Sequence, residues 1–145
     1  NKLNVDEKKF QNIKLNKYSL IIDSIFGIGI NRKLSKNIIN IIEKINKTSS
    51  CIVSIDIASG INADSGELMP VSVKADHTIT FVAPKVGNYL LPGKINSGEI
   101  HTISIGEKKS DILKVSKLSK LKYDPGLIKL VSNNPIVIAN KDVLI

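Results

Sequence analysis

The sequence predicts an α/β domain built on a mainly parallel sheet, and three observations carry that prediction. An apolar run, "YSLIIDSIFG" at 18–27, reads as a buried strand that closes near Asp23 and Gly27. A helical period then takes over. Leu34, Ile38, Ile41, Ile42 and Ile45 fall at i, i+4, i+7, i+8 and i+11, which is one face of a helix. A second apolar run, "CIVSIDI" at 51–57, follows after a short turn at 48–50. A helix between two buried strands is the connection that parallel pairing requires.

The remaining segments take their places around this unit. Residues 1–16 are polar and rich in Lys and Asn, with weak periodicity, and read as a helix or the remnant of one. "GIGIN" at 27–31 is a loop, and Ser35 or Asn31 can cap the helix that follows. "HTITFVAP" at 77–84 alternates and is rich in β-formers; it predicts a third strand, stopped by Pro84. "GNYLLPGKINSG" at 87–98 reads as loop. "EIHTISIG" at 99–106 alternates again and predicts a fourth strand. We read residues 1–107 as the domain and 108–145 as a basic linker or C-terminal extension, with short apolar runs in "LIKLVSNNPIVIANKDVLI" that suit a helix and a strand.

Composition narrows the function classes. The 145 residues suit one domain, and the 42% hydrophobic share suffices for a core. With no Trp and only 4% aromatics, that core must be packed by branched aliphatics. Lysine and arginine exceed the acids by 21 − 13 = 8. The excess fits a solvated surface, since the lysines are scattered from Lys2 to Lys141. It also fits an anionic partner. No aromatics interleave with the lysines, so a stacking platform for single strands is not expected, nor is nucleic acid as the main partner. Cys51 is the only cysteine, which excludes an internal disulfide and a cysteine-only metal site. It opens an apolar run, so a buried thiol is expected. No run reaches membrane-spanning length and no leader is visible, so we expect no membrane partner. The first residue is Asn rather than Met, which suggests a fragment or a processed piece.

Open α/β sheets bind ligands at the carboxyl ends of their strands. Two strands here end alike: Asp23 is followed by "SIFGIG" and Asp56 by "IASG". On neighbouring strands both carboxylates would share one edge of the sheet, beside glycine loops. Each also has a plain reading. Asp23 can be a strand-end turn former, and Asp56 with Ser59 can form an Asx-type turn that caps a helix. Gly27 and Gly29 can be a turn that meets no ligand, since a dinucleotide fingerprint would want glycine where Arg32 stands. Arg32 and Lys33 favour an anion there. A carboxylate, a hydroxyl and backbone carbonyls together can hold a hard cation. His77 and His101 sit in strand patterns and read as structural, because no ligand spacing links either to a second metal-binding residue.

Taken together, "DSIFGIGINRKL", "VSIDIASGINADSGE", "ADHTITFVAPKVGNYLLPG" and "GEIHTISIG" resemble the NAD(P)H-hydrate epimerase family, the YjeF N-terminal domain, in order and spacing over about residues 18–107. The resemblance implies a Rossmann-like three-layer α/β/α fold. It implies an isomerase that interconverts the R and S epimers of hydrated NADH or NADPH in cofactor repair, with a bound potassium ion. A dehydratase that needs the S form, fused or separate, would be the partner enzyme, and a homodimer is a further expectation. We expect such an enzyme to be cytoplasmic. By the resemblance, Asp23 and Ser59 are potassium ligands. Gly27, Ile28, Gly29, Ile30, Asn31, Arg32 and Lys33 become the loop that contacts the hydrated dinucleotide. Asp56 becomes a substrate-binding carboxylate and the acid/base.

The chain departs from the family in two places. Ala58 stands where "DIPSG" has proline, which loosens the turn without removing a polar group. The "GNNGGDG" loop, which supplies an asparagine to potassium, is not found. The expectation is therefore the C-terminal portion of the epimerase domain, with a sheet incomplete at its N-terminal side. The alternative is a non-catalytic module of the same fold used for dimerisation or RNA-associated assembly.

Overall fold

The computed structural model describes residues 10, 12–30 and 33–106, together with the backbone of 135–139. Five strands form one sheet: β1 (Leu20–Ser24), β2 (Cys51–Ile55), β3 (His77–Phe81), β4 (Glu99–Ile103) and β5 (Pro135–Ala139). Their order is β4-β3-β2-β1-β5 and every neighbouring pair is parallel. The expected parallel α/β sheet is therefore present, and its Rossmann-like character with it. β5 lies within the stretch read as a linker or extension, where the run "PIVIA" aligns beside β1.

The helix α1 (Lys36–Ile45) connects β1 to β2. Of the two proposed caps, Ser35 fills the role: its hydroxyl accepts the Ile38 N–H at 3.4 Å. Asn31 lies outside the described residues. The predicted apolar face buries Ile42 and Ile45 completely, with Leu34, Ile38 and Ile41 packed around them. Strand alternation divides the remaining core. Ile21 and Ile52 join Ile57, Ile61, Val73 and α1 on one face. Leu20, Val53 and Ile79 form a second cluster on the other, made of strand residues alone.

One segment departs from the sequence reading. Residues 87–98, read as loop, contain a short helix α2 (Gly93–Ser97). Five residues are too few for a period to show. Tertiary contacts hold the helix instead: the Thr78 hydroxyl donates to the Ser97 carbonyl (2.6 Å) and the Asn96 amide to Ser72 Oγ (2.7 Å).

The chain steps outward from β1 through β2 and β3 to β4, while β5 lies on the other side of β1. The order thus reverses at β1. Sheets of this kind bind ligands at the carboxyl ends of the strands beside such a reversal.

Candidate functional site

Asp23 lies inside β1, opposite Ser54 of β2 in the parallel register. That places the two side chains on the same face. The loop after β2 then folds back over them. The Ser59 hydroxyl donates to Asp23 Oδ1 (2.6 Å) and the Ser59 N–H to Oδ2 (2.9 Å). The Ser54 hydroxyl donates to Oδ2 (2.7 Å) and the Ile25 N–H to Oδ1 (3.3 Å). Asp23 is completely buried. The expectation of two carboxylates facing one open cleft is therefore corrected: Asp23 lies beneath the loops, because its strand position points it into the core.

Burial pushes the Asp23 carboxyl above its ordinary value, and the bonds from Ser59, Ser54 and Ile25 pull against that rise. Among the described residues, no cationic side chain pairs with Asp23. A buried carboxylate without a countercharge is costly. Hard oxygens gather beside it, since Ser59 Oγ accepts the Phe26 N–H (2.9 Å) and lies 3.4 Å from the Phe26 carbonyl. The set is all oxygen, the ligand type that a hard cation takes. The plain reading of Asp23 as a turn former does not account for its depth or its four donors.

Asp56 stands just past β2 with φ 70°, a left-handed conformation uncommon outside glycine. Its N–H donates to the Ile79 carbonyl (2.6 Å), which fixes the turn against β3. Its side chain is about one-fifth exposed and forms an ion pair with Lys85 at 2.5 Å. Thr80 Oγ1 lies 3.3 Å from the same carboxylate oxygen. The Asx turn is elsewhere, at Asn62, whose Oδ1 accepts the N–H groups of Asp64 and Ser65. Asp56 is thus engaged by Lys85 and Thr80 rather than by an Asx turn.

Lys85 was not among the residues singled out in the sequence. Its ammonium also donates to Thr80 Oγ1 (3.0 Å) and to the carbonyls of Phe81 (3.2 Å) and Ala83 (3.3 Å). The loop after β3 makes this reach possible because Val82 takes φ 65°, an outlier for a β-branched residue. The one local signal was position: "APK" directly follows a strand.

The glycine loop lies against the same carboxylate. A Cβ at Gly27 would sit 3.7 Å from Asp56 Oδ2, and at Gly29 it would meet nothing within 4 Å. Ile28 is mostly exposed, Ile30 is buried and Lys33 is exposed. Asn31 and Arg32 lie outside the described residues. The structure therefore brings Asp56, Lys85, Thr80 and Gly27 together at the carboxyl ends of β1–β3, with Asp23 and Ser59 beneath.

Two further expectations change. Cys51 is partly exposed rather than buried, because it begins β2 at the sheet's amino end. There it lines an open depression of about 580 Å³ together with Asn46, Lys74, Asp76 and His77. His77 and His101, read as having no ligand partner, come within 3.2 Å of each other across β3 and β4. Among the described residues, no helix is long and apolar enough to cross a membrane.

Comparison with known proteins adds the following. The profile of the family described as YjeF-related protein N-terminus matches residues 1–87. The chain is 34% identical over 123 residues to the bifunctional NAD(P)H-hydrate repair enzyme Nnr of Thermofilum pendens, covering 83% of this chain and 23% of the relative. It is 37% identical over 99 residues to the NAD(P)H-hydrate epimerase of Lentilactobacillus buchneri, covering 68% and 46%. It is 42% identical over 88 residues to the NAD(P)H-hydrate epimerase of Levilactobacillus brevis, covering 61% and 41%. The chain spans less than half the length of each of these relatives.

Proposed function

The chain belongs to the family of YjeF-related N-terminal domains, and on that footing we propose that it takes part in repair of damaged nicotinamide cofactor by interconverting the R and S forms of hydrated NADH or NADPH. The names of its relatives support this reading. The single observation that carries it in the structure is Asp56. This carboxylate is held in a strained backbone conformation, fixed by Lys85, and faces the loop at Gly27.

The chemistry follows from the substrate. The hydrate bears a hydroxyl on a ring carbon next to nitrogen. As the nitrogen lone pair forms a C=N bond, the C–O bond breaks and the oxygen leaves as water once it has gained a proton. Asp56, entering the step as the carboxylic acid, delivers that proton and is left as a carboxylate, whose charge the Lys85 ammonium stabilises. The ring carbon becomes planar, water returns on the opposite face, and Asp56 takes the proton back. One group working in both directions contributes about 10²–10⁴-fold. Thr80 and Lys85 both meet Asp56 Oδ1, which restrains rotation of the carboxylate.

The loop from Gly27 to Lys33 would run along the dinucleotide, with the space beside Gly29 left for close approach. Asp23, Ser59 and the Phe26 carbonyl would hold a potassium ion, whose charge compensates the buried carboxylate and rigidifies the loops above it. The bifunctional relative supports a place beside a dehydrating activity that consumes the S form. A scaffold or RNA-associated role would have no use for an acid pinned in this way.

The test is turnover of purified R-hydrate of NADH by this chain, read as appearance of the S epimer by chromatography or NMR. Asp56→Asn is expected to lower the rate by about 10²–10⁴-fold. Unchanged turnover by that variant overturns the assignment.

A further inference from the structure

The histidines that the sequence left as structural form a second constellation with Glu99. In the register of the sheet, His77 pairs with Glu99 and Ile79 with His101. Strand alternation therefore puts His77, Glu99 and His101 on one face of β3 and β4. His77 Nδ1 lies 3.2 Å from His101 Nε2 and 3.6 Å from Glu99 Oε2, and His101 Nε2 lies 3.7 Å from the same oxygen. Among the described residues, this is the one grouping of three such side chains close enough to hold an ion.

From this geometry we infer that His77, Glu99 and His101 bind a divalent transition-metal ion of the zinc class. Three ligands at about 2.1 Å from a tetrahedral ion stand about 3.4 Å from one another. The observed triangle has sides of 3.2, 3.6 and 3.7 Å. An octahedral ion with the same bond lengths would need adjacent ligands at about 3.0 Å. Two imidazole nitrogens and one carboxylate are a donor set for zinc, cobalt or nickel rather than for potassium or magnesium, which favour oxygen alone.

The ring nitrogens that face each other can carry at most one proton between them without repulsion. An incoming cation would take up both lone pairs, with that proton moved to the far nitrogen of its ring. Glu99 is largely exposed while the histidines are mostly covered, at 69%, 34% and 19% side-chain exposure for Glu99, His77 and His101. The triangle thus opens to solvent on the Glu99 side, and a fourth coordination position is left for water. The ion would tie β4, the outer strand of the described sheet, to β3. This place is distinct from the Asp56 site. His77 begins β3 at the sheet's amino end, whereas Thr80, which meets Asp56, points to the opposite face near the carboxyl end.

The test is calorimetric titration of the untagged, chelator-treated chain with zinc chloride, together with visible spectra on titration with cobalt(II). Expected are one ion per chain at micromolar or tighter affinity, a thermal midpoint that rises with zinc, and cobalt bands of tetrahedral type. His77→Ala and His101→Ala should each abolish the cobalt bands and weaken zinc more than tenfold. Glu99→Gln, at an exposed position that leaves the fold intact, should weaken zinc about tenfold. Cys51→Ser and Asp76→Asn, beside His77 in the neighbouring depression, should change nothing. Absence of stoichiometric binding by the unaltered chain overturns the inference. So does binding that survives His101→Ala and Glu99→Gln, or that is lost with Cys51→Ser.

Discussion

Lys85 curls back over the end of β3 to neutralise Asp56, a residue 29 positions earlier (85 − 56) on the neighbouring strand's exit. Its ammonium is gripped at the same time by two backbone carbonyls and the Thr80 hydroxyl. Lys85→Met should remove the only cation that meets Asp56 among the described residues. We expect a stability loss of about 1–3 kcal/mol, as for a hydrogen-bonded charge left without its partner. The rate of epimerisation should fall more than substrate affinity does. Denaturant melts and a kcat-against-KM comparison check the two halves of this statement separately.

Gly27 and Gly60 should respond in opposite ways to the same methyl. At Gly27 a Cβ fits the fold but lies 3.7 Å from Asp56 Oδ2. Gly27→Ala should leave the melting temperature nearly unchanged, because 3.7 Å is ordinary contact, and slow turnover by filling the space that substrate would take beside the carboxylate. Gly60 has φ +96°, and a Cβ there would overlap the Val71 carbonyl oxygen. Gly60→Ala should cost at least about 2 kcal/mol, since it combines a strained backbone with a clash. Comparable losses of stability at the two positions would contradict the geometry.

The buried Asp23 carboxylate, held by Ser54 and Ser59, should make the fold sensitive to monovalent cations. Melting temperature is expected to rise in potassium chloride relative to tetramethylammonium chloride at equal ionic strength. In Asp23→Asn that difference should vanish, because the charge that attracts the ion is gone while the side-chain shape is kept. A potassium effect of equal size in both proteins would point to a general salt response.

Cys51 should be a sluggish nucleophile despite its partial exposure. Burial pushes its thiol above the ordinary value, and the Asp76 carboxylate adds to the rise. A raised value means less thiolate at any given pH, so alkylation is slower and its pH–rate midpoint lies above that of a free thiol. Asp76→Asn should move the midpoint part of the way back, because desolvation is the larger cause. Iodoacetamide kinetics across the alkaline range measure this directly.

Much of the scaffold was legible because it rests on local periodicity. The isoleucine face of α1, its Ser35 cap and the four strands all follow from spacings within ten or so residues. The site was legible in part. Asp23, Asp56 and Ser59 announced themselves as polar residues at the ends of apolar runs. What escaped notice depends on which strands become neighbours. Lys85 meets Asp56 only because β3 lies beside β2 and Val82 bends the exit loop. His77 and His101 stand 24 residues apart, with no spacing to connect them until β4 aligns with β3. The depth of Asp23 follows from its direction on the strand, because the same face receives α1 and the loop carrying Ser59.

The left-handed backbone at Asp56 has a consequence for anyone who engineers this fold. Glycine adopts that conformation without steric cost, so Asp56→Gly should relax a local strain of about 1 kcal/mol or more. The same exchange leaves the Lys85 ammonium without its carboxylate, a loss of about 1–3 kcal/mol. The ion pair therefore offsets the twist it sits on, and a designer who wants the relaxed backbone must replace Lys85 in the same step.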